Sequence, residues 1–232
     1  MEIKKISHKN YQEILKKIIV LVKKGKILIL PTDTVYGLIC DASSKKSIEK
    51  IFKIKKRPKT KALPVFIKNI KEAKKLACIN KNQEKLLKKV WPGKVTVILK
   101  RKDYLPKIIF ANQKTIGLRI PKQRLIKDLL EKTNLPLIGT SANLSGQPAS
   151  TKIKKIIFQF KNKKNQPDFI FSVGDLKSSK PSTIIDLTLK KPRLIRKGDI
   201  VLNQSARIKR VKTFSLILPN LIHQSKKKDL KN

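Results

Sequence analysis

Four short segments carry the side chains that chemistry on a phosphate or a carboxylate requires. Thr32, Asp33 and Thr34 place two hydroxyls and a carboxylate at a corner bounded by Pro31 and Tyr36. Lys55 and Arg57 stand at the end of a helical pattern, and Lys61 precedes a run with strand character. Arg119 lies inside an apolar strand pattern, flanked by Leu118 and Ile120. A guanidinium there faces either a solvated sheet surface or a polar cavity, where an anionic group would satisfy its planar fork. Ser141 and Asn143 follow a strand pattern, two residues apart. Taken singly, the Thr-Asp-Thr and Ser-Asn segments are equally consistent with turns that bond their own backbone.

Other chemistries find little support. The chain has neither a Walker loop nor a G-x-G-x-x-G fingerprint, so a nucleotide must be held by another arrangement. Cys40 and Cys78 lie far apart in apolar contexts without C-x-x-C spacing, which gives no disulfide framework and no metal site. His8 and His223 fall in terminal segments and receive no catalytic role.

The elements that must position these groups follow from periodicity. Helical spacing of Tyr11, Ile14, Leu15, Ile18, Ile19 and Val22 predicts a helix over 10–24, with Gly25 at its C-terminal cap. Residues 26–30 and 34–39 read as strands on either side of the polar corner. Ser44 is expected to cap a helix reaching Ile54, ahead of a strand over 63–67 and helices over 70–77 and 82–90. Trp91, Pro92 and Gly93 form a turn before a strand over 95–99. A strand over 116–120, a helix over 123–132 and a strand over 136–140 lead into the loop SANLSGQPAS, after which Ser150 or Thr151 can cap a further helix. Short strands over 170–173, 183–187 and 193–195 close the series. Strands and helices without a strict βαβ rhythm predict an α/β (α+β) fold, a twisted mixed sheet with flanking helices, rather than a Rossmann wrap.

With 57 Lys and Arg against 15 Asp and Glu, the formal net charge of +42 would suit a polyanionic partner. The excess is nearly all lysine and is spread along most predicted helices, so charge alone does not establish RNA binding. Aromatic residues make up only 5% of the chain, and the core must be built mainly from Ile, Leu and Val. The apolar runs are too short to cross a bilayer and no signal-peptide pattern opens the chain, so the expectation is a cytoplasmic protein without a membrane partner.

Taken together, the segments LPTDTVYGL, KKRP, WPGKVTVIL, IGLRIP, GTSANLSGQPAS and PSTIIDL occur in one order. In that order they resemble the YrdC-type domain of the threonylcarbamoyl-AMP synthase family, whose pattern runs PT(E/D)TVYGL, KxRP, WPG, LRxP, (P/T)SAN and STI(I/V)D. The resemblance covers about residues 10–200. It implies a short single-domain form with a catalytic domain over 10–200 and a positively charged concave cavity; the tail over 201–232, which ends in the run SKKKDLKN, is expected from its composition to be partly disordered. The apolar stretch 214–222 of that tail is expected to dock on the core.

The resemblance also implies roles. Lys55, Arg57, Ser141 and Asn143 match the catalytic residues around the ATP phosphates; Lys61, Thr115, Ala149 and Arg196 fall at further ATP positions. Thr34, Arg119, Gly139 and Ser182 fall at positions that hold L-threonine, with Arg119 clamping its carboxylate. The implied substrates are L-threonine, bicarbonate or CO₂, and ATP with Mg²⁺. The product would pass to a tRNA-modifying transferase complex, with direct tRNA contact left open. Two departures stand out: Phe66 replaces a histidine, and Lys61 an asparagine, found in some relatives. The competing reading is a non-catalytic YrdC-like protein that binds double-stranded RNA or tRNA on the same basic surface.

Overall fold

The computed structural model describes residues 1–202 and 208–210. In chain order its first elements are β1 (Glu2–Lys5), α1 (Tyr11–Lys23), β2 (Leu28–Leu30), β3 (Gly37–Asp41), α2 (Lys45–Lys55) and β4 (Val65–Phe66). Then come α3 (Ile70–Leu76), β5 (Ala77–Cys78), α4 (Lys81–Val90), β6 (Val95–Arg101), a 3-10 turn (Lys107–Phe110), β7 (Thr115–Arg119) and α5 (Arg124–Thr133). The remainder comprises β8 (Leu137–Ser141), α6 (Ile153–Phe160), β9 (Phe169–Ser172), β10 (Thr183–Asp186), β11 (Arg193–Arg196), β12 (Ile200–Leu202) and β13 (Ile208–Arg210).

One mixed sheet runs in the order β1-β9-β2-β3-β8-β4-β7-β6-β10-β11, with β5 added beside β6. Parallel pairs (β1 with β9, β2 with β9, β4 with β7, β6 with β10) are mixed with antiparallel ones such as β3 with β8 and β6 with β7. This is the mixed α/β sheet expected from the sequence. β12 and β13 pair as a separate hairpin. The expectations for residues 211–232, including docking of 214–222, lie outside the described residues.

The two-residue period of the strands sends their side chains to different layers. Ile27, Ile29, Leu38 and Cys40 join a large core with Ile48, Ile51 and Ile54 of α2, whereas Leu28, Leu30 and Ile39 meet Ile14, Leu15 and Ile18 of α1 and Ile126, Leu129 and Leu130 of α5. Over the second half of the sheet, Val95, Val97, Leu99, Ile116, Leu118 and Ile185 continue the large core. Their alternates, Thr96 and Ile98, Thr115, Gly117 and Arg119, and Ser182 and Ile184, line an open cavity instead. The sheet thus has helices on one face throughout and on the other face only in part. Its uncovered portion is the concave surface.

Local chemistry sets the boundaries. Ser44 caps α2 by accepting from the Ser47 N–H, and Gly25 follows α1 at φ +72°, a conformation glycine adopts without steric cost. The expected strand over 34–39 begins only at Gly37, because Thr32 bonds the Val35 carbonyl and closes the corner on itself. Neither Ser150 nor Thr151 caps α6. The helix starts at Ile153, whose N–H donates to Asp175 at 3.0 Å, while the Ser150 hydroxyl accepts from Lys152 at 3.0 Å. A carboxylate distant in sequence thereby satisfies the helix start. β1, for which the sequence reading assigned no element, is a parallel edge strand held by backbone bonds to β9.

Candidate functional site

The cavity occupies about 230 Å³ on the concave face. Arg57, Arg119 and Arg196 line it together with Thr34, Thr115, Gly139, Ser141 and Ser182, joining eight of the residues singled out from sequence. Lys55, Lys61, Asn143 and Ala149 are not among the lining residues.

Arg119 is 3% exposed and sits at the inner end. Its Nε donates to the Gly93 carbonyl at 2.9 Å, one Nη to the Thr34 hydroxyl at 3.4 Å and the other to Asp33 at 2.6 Å. The Phe66 ring lies 5.5 Å from the guanidinium. A guanidinium carries five N–H donors, so two remain after these three bonds among the described residues. Burial lowers the Arg119 pKa and Asp33 works against that shift. The group stays charged in any case, since arginine does not lose its proton in proteins.

The other two arginines are braced by carbonyls. Arg57 donates to Lys61 O at 3.0 Å and Ala62 O at 2.8 Å, which makes the backbone of Lys61, rather than its exposed side chain, part of the arrangement. α2 ends in a left-handed residue, Lys56 at φ +48°, and the reversal of direction there separates the inward Lys55 from the cavity-facing Arg57. Arg196 donates to the Ser182 carbonyl at 3.0 Å and its hydroxyl at 3.2 Å, and that hydroxyl also lies 2.9 Å from Thr96 Oγ1. Burial, and then the like charge of Arg119, lower the Arg196 pKa.

Behind this wall, the Lys55 Nζ contacts Ser141 O at 2.6 Å, Asn143 O at 2.8 Å and Asn143 Oδ1 at 3.0 Å. Ser141 Oγ donates to Asn143 Oδ1 at 2.6 Å, and Asn143 Nδ2 bonds Leu144 O and Gln147 O. Asn143 therefore braces the loop from within, while Ser141 reaches the cavity. Gly139 is in the lining because its neighbour needs it: a Cβ at this position would overlap the Phe66 ring.

Sequence reasoning named Asp33 without a role, and did not find the Gly93 carbonyl, Thr96 or Gln113. A backbone acceptor leaves no side-chain signal. Thr96 was legible in principle from its polar side chain within the apolar run VTVIL.

The fold and site define a class: an α/β protein whose concave sheet face holds a cavity lined by three guanidiniums and several hydroxyls. A family model described as telomere recombination, for Sua5, YciO and YrdC, matches residues 20–198. The chain belongs to the Sua5/YciO/YrdC family. A Methanocaldococcus jannaschii protein assigned as a threonylcarbamoyl-AMP synthase is 36% identical over 196 residues, spanning 83% of this chain and 91% of that protein. The threonylcarbamoyl-AMP synthase of Pyrococcus abyssi is 31% identical over 188 residues, 81% of this chain and 54% of that one. The solved structure of P. abyssi Sua5 complexed with L-threonine matches with a TM-score of 0.80 at 28% identity, covering 87% of this chain and 59% of that one. The chain thus spans somewhat more than half of the Pyrococcus protein. Among the described residues, no helix is long and apolar enough to cross a membrane.

Proposed function

We propose that the chain is an L-threonylcarbamoyladenylate synthase, a nucleotidyltransferase that joins L-threonine, bicarbonate or CO₂ and ATP for N6-threonylcarbamoyladenosine modification of tRNA. The observation that carries this reading is the set of three guanidiniums, Arg57, Arg119 and Arg196, around one hydroxyl-lined cavity. Such a cavity suits a ligand set with several anionic groups, as an amino-acid carboxylate and a triphosphate provide. The likeness to a Sua5 that binds L-threonine supports it.

In this reading the free N–H groups of Arg119 take the threonine carboxylate beside Thr34, and Arg57, Arg196, Thr115 and Ser141 face the ATP phosphates. The threonine amine adds to the inorganic carbon to give N-carboxythreonine, with loss of water where bicarbonate is the donor. That new carboxylate attacks the α-phosphorus of ATP, forming the acyl phosphate bond as the bond to pyrophosphate breaks. No protein nucleophile takes part; alignment of the reactants and stabilisation of phosphate charge supply the catalysis. Among the described residues, no group of three His, Cys, Asp or Glu could hold a metal ion, and Asp33 is bonded to Arg119. Mg²⁺ fits the reading as a partner of the ATP phosphates, brought in with that substrate. A tRNA-modifying transferase complex in the cytoplasm would consume the product.

The test incubates the purified chain with ATP, Mg²⁺, labelled bicarbonate and each amino acid in turn, and follows labelled carbamoyl-adenylate and pyrophosphate. Threonine-dependent formation of both is expected. Absence of both at saturating substrate overturns the synthase reading. The RNA-binding alternative is not favoured by the named relatives; it predicts tRNA affinity that survives Arg119→Ala and falls steeply with salt.

A further inference from the structure

Lys55 is 2% exposed, yet among the described residues it has no carboxylate partner, and it does not line the cavity. Its ammonium instead meets three oxygens of a single loop: Ser141 O, Asn143 O and Asn143 Oδ1, all within 3.0 Å. The exchange runs both ways, since the Ser145 N–H donates to the Lys55 carbonyl at 2.7 Å. An ammonium has three donors and no acceptor, so all three oxygens are served only while Lys55 is protonated. A neutral amine has two donors, and it must turn its lone pair toward the third oxygen.

We infer that Lys55 is a positioning residue, a proton-dependent clasp that folds the 141–147 loop onto the end of α2 and so presents Ser141 to the cavity. In this role it holds the loop rather than the phosphates. Burial, and then the like charge of Arg57, lower its pKa from 10.5 to about 7, which brings release of the clasp into the physiological range. The 141–147 loop itself contains no ionisable side chain. Against α2 pack β3, with Cys40 and Asp41, and the 3-10 turn, with Lys107. The buried Cys40 thiol is pushed well above its ordinary value, and Asp41 accepts from Ser43. The charge that acts on Lys55 is that of Arg57, two residues on from it.

The clasp stands on this geometry and its pH range on the lowered Lys55 pKa; its effect on ATP rests on the synthase reading. Hydrogen exchange of the 141–147 amides in the full chain, corrected for intrinsic rate, separates the two from about pH 6 to about pH 9. Wild type is expected to lose loop protection roughly tenfold across that range, whereas Lys55→Arg, which keeps its charge, holds a flat profile. Lys55→Met should leave the loop open throughout. If it does not fold, the wild-type profile against that of Lys55→Arg, or the wild-type profile alone, decides. Loop protection in wild type that does not change with pH overturns the clasp, as does full protection in a folded Lys55→Met. Where adenylate is made, the KM for ATP should rise with pH in wild type and not in Lys55→Arg, with kcat little changed. Absence of turnover counts against the synthase reading and leaves the exchange result standing.

Discussion

Asp33 and Arg119 form an ion pair at 2.6 Å, with side chains 14% and 3% exposed. The second Asp33 oxygen accepts from the Lys122 N–H at 3.2 Å, so the carboxylate ties the polar corner to the chain leaving β7. The pair offsets the charge of Arg119 and, with the Gly93 carbonyl on Nε, fixes the plane of its fork. Removing one partner of a buried pair leaves the other uncompensated, at about 3–5 kcal/mol. Asp33→Ala should therefore lower the unfolding free energy by about that amount in urea denaturation. Asp33→Asn retains an acceptor and should lose less. Equal, negligible losses in both would show that Arg119 does not depend on this partner.

Gly139 and Phe66 are coupled in the opposite sense, by space. A methyl group at 139 overlaps the buried Phe66 ring, and overpacking of this kind costs about 1–3 kcal/mol. Phe66→Ala carries its own cavity penalty of about 3–5 kcal/mol. In a double-mutant cycle the Gly139→Ala penalty should vanish in the Phe66→Ala background, a coupling of about 1–3 kcal/mol. Simple additivity would mean that Gly139 is required for the strand or for a ligand, and not for the ring.

Much of the concave face could be read from β7 alone. Thr115, Gly117 and Arg119 alternate with Ile116 and Leu118, and the period of two assigns the first set to the cavity and the second to the core. The six ordered segments were legible as parts of one site only through their resemblance to the YrdC-type pattern. What stayed hidden was carried by backbone groups or by distant partners. Gly93 orients Arg119 through a carbonyl that any residue possesses, and Asp175 supplies the start of α6 from 22 positions away. The tetrapeptide EIKK carried no strand signal, because an exposed edge strand needs only its backbone to pair with β9. Lys55 was legible as a site residue, but its direction was not. The left-handed turn at Lys56 that separates it from Arg57 falls on a residue with no special tendency to adopt it.

Asp168 offers a test of how the sheet is joined to α2. Its carboxylate accepts from the Ile27 N–H at 2.8 Å and meets Lys50 at 2.8 and 2.9 Å and Lys26 at 3.6 Å, with the side chain 16% exposed. Burial pushes its pKa up, but the Lys50 and Ile27 hydrogen bonds and the charges of Lys50 and Lys26 outweigh it, and the net direction is downward from 3.8. A carboxylate whose folded pKa is depressed stabilises the fold fully above its unfolded value and loses that contribution as pH falls through the folded one. Asp168→Asn cannot titrate. At neutral pH it should be less stable than wild type by about 1–3 kcal/mol. That gap should close as pH drops below about 4, because the wild-type carboxylate is then protonated too. Urea denaturation of both proteins across the acid range measures it. A gap that stays constant into acid would mean the carboxylate acts through shape, not charge.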